Sequence, residues 1–219
     1  MHLLITAGPT REPIDAVRFI SNRSSGKLGL ALTRAAVEAG HAVTLLLGPI
    51  DAFTDQTALP ENVRLERFET TGQLQTLLDS HFPSCDALIM AAAVADYRPK
   101  QVHEGKLPRG EQGQTQMVEL EPTPDLIAGL SRKKQPHQRT IAFALEEPGR
   151  LNERMHDKLK RKGVDAIVGN ALATMGSDEI AMRFHPADGK TEDSGPLQKA
   201  EAARWLLAHV AAMVSGDAR

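Results

Sequence analysis

Two stretches decide the fold: His2-Leu3-Leu4-Ile5-Thr6-Ala7-Gly8-Pro9-Thr10 at the start of the chain, and Ser24-Ser25-Gly26-Lys27-Leu28-Gly29 shortly after it. The first is a short apolar run that ends in small and turn-forming residues, as expected of a buried strand reaching the carboxyl edge of a sheet. The second opens a periodic stretch in which Leu28, Ala31, Leu32, Ala35, Ala36 and Ala39 share one helical face, with Gly40 as its stop. An apolar run at 42-47 then completes a β-loop-α-β unit. Open α/β folds bind ligands at the carboxyl ends of their strands, so Gly8 and the helix start mark the expected site.

Working outward, further strands are expected at 63-68, 86-92, 139-145 and 164-170, with helices over 71-81, from Thr123-Pro124-Asp125 onward, over 151-162 and over 197-214. The alternation predicts an α/β fold: a doubly wound, mostly parallel, Rossmann-like sheet with helices on both faces. A single domain is expected over 1-219. Its one polar Gly/Pro/Lys/Glu-rich segment, about 97-114, reads as a mobile flap. A second irregular region, 171-196, holds a short strand at 179-185 and a turn at 187-190.

Composition narrows the function. A formal charge of -2 over 219 residues gives no basic excess for nucleic acid or a membrane surface, and no apolar run approaches the roughly 18 to 20 residues that span a bilayer. The chain reads as soluble and cytoplasmic. The single cysteine, Cys85, has no partner for an internal disulfide and sits beside Ala87-Leu88-Ile89-Met90 as a small buried residue. The eight histidines are scattered, with no zinc-binding cluster.

At the helix start, Ser24, Ser25, Gly26 and Lys27 bring hydroxyls, free amides and the positive end of the helix dipole to one point, which suits a phosphate or carboxylate. The plainer alternative is a capped helix after a tight turn. A Walker A loop is absent, because Ser21 and Leu28 occupy positions that need Gly and Ser or Thr. The dinucleotide fingerprint is absent too, since Gly8 and Gly26 are too far apart in sequence for the usual strand-turn-helix.

Other candidates lie downstream. In Ala91-Ala92-Ala93-Val94-Ala95-Asp96 the alanines allow close approach of a ligand, and Asp96 can accept hydrogen bonds from a base or ribose, or simply cap a turn. Lys106, in the flap, is either a charge that closes over a phosphate or a solvated lysine. Lys158 and Lys162 share a helix face with Arg154 and Arg161 close by, to grip a triphosphate or to face water.

Ile5-Thr6-Ala7-Gly8-Pro9-Thr10-Arg11-Glu12-Pro13-Ile14-Asp15 together with Val17-Arg18-Phe19-Ile20-Ser21-Asn22-Arg23-Ser24-Ser25-Gly26-Lys27-Leu28-Gly29 resembles the phosphopantothenoylcysteine synthetase family, and the similarity runs on to Val168-Gly169-Asn170. The resemblance implies a homodimeric ligase of coenzyme A biosynthesis. It would join 4'-phosphopantothenate to L-cysteine through a cytidylate, using CTP and Mg²⁺, the metal held mainly by the triphosphate. It implies catalytic roles for Asn22 and Lys106. Nucleotide contacts would come from Ala91, Ala92, Ala93, Asp96, Lys106, Pro124, Asp125, Leu126, Ile127, Phe143, Lys158 and Lys162. Substrate or phosphate contacts are expected from Gly8, Asn22, Ser24, Ser25 and Gly26. Phe143-Ala144-Leu145-Glu146-Glu147 departs from the F-A-A-E-T of many members, which leaves ATP beside CTP. A flavin-dependent phosphopantothenoylcysteine decarboxylase, fused or separate, is the implied partner. The alternatives are an NAD(P)- or flavin-linked reductase and a catalytically inactive nucleotide-binding module.

Overall fold

The computed structural model describes residues 1–50, 59–108, 115–174 and 176–216. Its main sheet has eight strands: β1 (His2–Ala7), β4 (Ala42–Leu47), β5 (Arg64–Arg67), β6 (Ala87–Met90), β9 (Arg139–Glu146), β10 (Ala166–Ala171), β11 (Glu179–Pro186) and β12 (Glu192–Gln198). They lie in the order β12-β11-β10-β9-β6-β1-β4-β5. From β5 to β10 all neighbours pair parallel, and β11 and β12 close the far edge antiparallel. Numbered among themselves in chain order, the parallel strands run 3-2-1-4-5-6, the order of doubly wound dinucleotide folds. The winding reverses between β1 and β6.

Alternation along β1 divides the core. Leu3, Ile5 and Ala7 face one layer with α1 (Lys27–Glu38) and α5 (Lys199–Ser215), where Leu32, Ala36, Ala202 and Leu206 are wholly buried. Leu4 faces the other layer, made by α2 (Thr71–His81), α3 (Leu126–Ser131) and α4 (Leu151–Lys162).

The structure departs from the sequence reading in its small elements. The segment between β1 and α1 is not a plain loop: β2 (Arg11–Pro13) and β3 (Phe19–Ser21) form a hairpin there. The expected flap begins with β7 (Tyr97–Pro99), which pairs with β8 (Leu120–Pro122), so its root is ordered by main-chain pairing. Residues 109-114 of that flap lie outside the described ones. The region expected to be irregular after 185 holds β12, an exposed edge strand that tolerates Gly195 and Pro196 because it has a pairing neighbour on one side alone. Among the described residues no helix is long and apolar enough to cross a membrane.

Candidate functional site

The site grows from the end of β1. Gly8 turns the chain at a φ of 80°, and Gly26 precedes α1 at a φ of 73°, both in the left-handed region that favours glycine. They meet in space: a methyl group built on Gly26 would lie 3.5 Å from the Gly8 amide nitrogen. Three residues on, Gly29 lets α1 approach β1 so closely that a Cβ there would sit 2.4 Å from that of Ala7. A dinucleotide fingerprint uses its glycines for a tight turn, a close backbone approach and helix-strand packing, in that order. Gly8, Gly26 and Gly29 meet those three needs with the β2–β3 hairpin inserted between the first and second. A contiguous pattern cannot reveal this, which is why the sequence reading rejected it.

The start of α1 is chemically open. Gly26 has no side chain to cap it, and Ser24 Oγ accepts only from the Gly26 amide, at 3.4 Å. By contrast α2 has a full capping box from Thr70 and Gln73, and Asp125 caps α3 through the Ala128 amide. The first-turn amides of α1 therefore remain available to an anion. Lys27 is less available than expected, since its ammonium pairs with Asp178 at 2.7 Å. That pairing holds the Asp178 carboxyl below its ordinary range.

The switch-point crevice between β1 and β6 is stitched by main chain. Pro9 bridges to Ala93, the Thr10 amide donates to Ala93 O at 3.1 Å, and the Ala93 amide donates to Gly8 O at 2.9 Å. The hydroxyls of Thr6 and Thr10 accept from the Ala92 and Ala95 amides, each at 3.0 Å. They shape residues 91-95 and were missed as positioning groups. Asn22, exposed, donates from Nδ2 to Ala93 O at 3.0 Å, which leaves Oδ1 as an acceptor at the mouth. Gly8, Asn22, Ser24, Ser25, Gly26 and Ala91 to Ala93 thus form one neighbourhood. Asp96 follows it, exposed, with its carbonyl accepting from the Thr123 amide.

A second group lies beside β9. Lys162 pairs with both oxygens of Asp125 at 2.7 and 2.8 Å, Arg161 stands 3.9 Å from the same carboxylate, and Lys158 pairs with Glu146 at 3.0 Å. Burial acts to raise the Asp125 carboxyl, but the Lys162 hydrogen bond and charge, the Ala128 amide and Arg161 outweigh it, and the net shift is downward. Pro124 is exposed beside this pair. Leu126 and Ile127 are buried in the core, not presented to a ligand, and Phe143 is half-buried. Lys106 is exposed on a segment tied to the β2–β3 turn. Cys85 is buried with its thiol pushed up to about 12, by burial first and then by Asp86, so it is no nucleophile.

Against known families, residues 1–214 match the model described as the DNA/pantothenate metabolism flavoprotein C-terminal domain. The chain belongs to that family. Similar proteins include the coenzyme A biosynthesis bifunctional protein CoaBC of Mycobacterium tuberculosis, 42% identical over 178 residues, which make up 78% of this chain and 41% of that protein. A cysteine/cysteine sulfinic acid decarboxylase from an unknown prokaryotic organism is 39% identical over 175 residues, 80% of this chain and 47% of that one. Among solved structures, the C-terminal domain of CoaBC superposes with a TM-score of 0.82 at 34% identity, covering 98% of this chain and 96% of the other. The chain spans about half the length of the curated relatives it matches.

These matches correct the expected chemistry. The family is described as part of a flavoprotein and one relative as a decarboxylase, and neither description names a ligase, CTP or magnesium. The expectation of a CTP- or ATP-driven, Mg²⁺-dependent ligase with a cytidylate intermediate is therefore replaced by membership in a flavoprotein family linked to coenzyme A biosynthesis. Lys158 and Lys162, expected to grip a triphosphate, pair with Glu146 and Asp125 in this structure.

A flavin is the cofactor that the family's description implies. The open amides of α1 suit its phosphate, but its ring system needs an aromatic or large apolar side chain to stack on, and Gly8, Asn22, Ser24, Ser25, Gly26 and Ala91 to Ala93 supply none. The described residues of this family member do not fit a flavin at that edge.

Proposed function

We propose that this domain serves coenzyme A biosynthesis by binding a phosphorylated derivative of pantothenate at the carboxyl edge beside β1. The open, glycine-lined start of α1 carries this reading, because free amides at a helix N-terminus favour a phosphate monoester over its uncharged alcohol. Asn22 Oδ1 and the exposed Lys106 ammonium add an acceptor and a positive charge for the rest of the ligand. The flavin-dependent chemistry belongs to a partner flavoprotein, supplied by the remaining length of the bifunctional relatives or by a separate chain. A second copy of the chain covers the exposed apolar side chains of Val17 and Phe19 on the first hairpin and of Tyr97, Met117 and Leu120 around β7 and β8.

Calorimetry with 4'-phosphopantothenate, its cysteine conjugate, unphosphorylated pantothenate and flavin mononucleotide tests the reading. The two phosphorylated pantothenate compounds should bind at least about tenfold more tightly than pantothenate, as loss of a charge-assisted contact implies. The flavin should not bind the isolated chain. Equal affinity for pantothenate and its phosphate would overturn the phosphate assignment.

A further inference from the structure

Asp15 lies in the turn of the first hairpin with only 4% of its surface exposed, and nothing in the proposed site uses it directly. Its Oδ1 accepts from the amides of Val17 at 2.9 Å and Arg18 at 2.7 Å. Its Oδ2 accepts from the Arg18 guanidinium and, across the chain, from the Leu107 amide at 3.1 Å. Arg18 in turn donates to Leu107 O at 3.1 Å. Two main-chain bonds run beside these: Ala16 N to Gly105 O and His103 N to Ile14 O, each 3.0 Å. Both neighbours of Lys106 are therefore fixed to the hairpin turn, while the lysine side chain itself faces solvent. The other end of the hairpin carries Asn22, tied to Ala93.

We propose that Asp15 is a positioning residue that fixes the segment bearing Lys106 to the hairpin that carries Asn22, and so sets where the ammonium meets a phosphorylated ligand. This rests on the binding reading above for the identity of the ligand. It does not rest on it for the latch. A buried carboxylate that accepts several N–H bonds satisfies them all only while the turn and residues 103-107 stay together, so removing its charge should free the segment.

The test is a double-mutant cycle of Asp15→Asn and Lys106→Ala in the full chain, with 4'-phosphopantothenate as the probe and amide hydrogen exchange as a second readout. Asp15→Asn should raise exchange at Leu107 and Ala16 about tenfold or more and weaken phosphate binding about tenfold. In the Lys106→Ala background it should weaken binding less than about twofold, because a residue acting through Lys106 has nothing left to position. If the two losses multiply, Asp15 does not act through Lys106. If exchange at Leu107 is unchanged, the latch is refuted whatever binds. Should Asp15→Asn fail to fold, Arg18→Met removes the guanidinium arm alone and must release Leu107 in the same direction. Wild-type protein that ignores the probe would overturn the ligand reading, and the exchange result would still decide the latch.

Discussion

Gly29 has no room for a methyl group, because Ala7 on the facing strand would lie inside van der Waals contact. Gly29→Ala should therefore cost about 1–3 kcal/mol by overpacking, measured by denaturant unfolding, although alanine is the better helix former. A stability gain would show that α1 can retreat from β1. Cys85 gives a second prediction at this scale. With its thiol pushed from 9.0 up to about 12, the thiolate fraction at pH 8 falls on the order of a thousandfold, and alkylation of the native protein should slow accordingly against the unfolded chain. The residue scale was also the most legible in sequence. Gly8, Ser24 and Gly26 were placed at one edge by reasoning about a strand end and a helix start, and Asn22 was added by the family resemblance. Asp15 and Glu12 were not, because what distinguishes each is a distant partner: Leu107 for Asp15, and for Glu12 the Thr71 amide at 2.8 Å.

Among elements, α3 and α4 are joined by charge, with Asp125 at the cap of one and Lys162 near the end of the other. The Asp125 carboxyl is lowered in the folded state, so its stabilising contribution is complete above the ordinary carboxylate value near 4 and is lost as pH falls through the lowered one. Asp178, lowered by Lys27, acts in the same direction. Denaturation midpoints should decline gently through the histidine range, where His41 and His185, both held low chiefly by burial, must become charged, and then fall steeply below about pH 5, and Lys162→Met should make that acid fall shallower. An unchanged acid limb in Lys162→Met would detach this pair from acid stability. The long apolar strands were readable from their runs of Leu, Ile and Val. The three-residue strands β2, β3, β7 and β8 were not, since pieces this short exist through partners that local periodicity does not name. β12 hid for a related reason: Glu-Asp-Ser-Gly-Pro-Leu-Gln has no apolar face, and its backbone pairing with β11 is what makes it a strand.

For the whole molecule, the two core layers give a direct test of the winding. Leu206 is wholly buried in the layer that α5 shares with α1, and Leu206→Ala should cost about 2–5 kcal/mol by calorimetry or denaturant titration. The proposed self-association is tested on the arms. Met117 is 95% exposed and Phe19 47%, and a chain carrying Phe19→Asp and Met117→Asp should sediment as a monomer where the wild type forms a dimer. A monomeric wild type would remove the second copy from the proposal. Fold class was legible because strand and helix signals alternate along nearly the whole chain. Chemistry was not, because one such fold serves many reactions.

The abutting glycines have an architectural consequence. Because Gly8 and Gly26 stand side by side, the residues between them enter and leave the sheet through one doorway, like an appendix sewn onto a seam already closed. Joining Gly8 to Gly26 through a linker of about two residues should yield a shorter protein with the same eight-stranded sheet, stripped of Asn22 and of the anchor for Lys106. Such a deletion would leave two donors to satisfy again, the Ala95 amide that Thr10 holds and the Thr71 amide that Glu12 holds, so the arm is entered at one point but fastened at several.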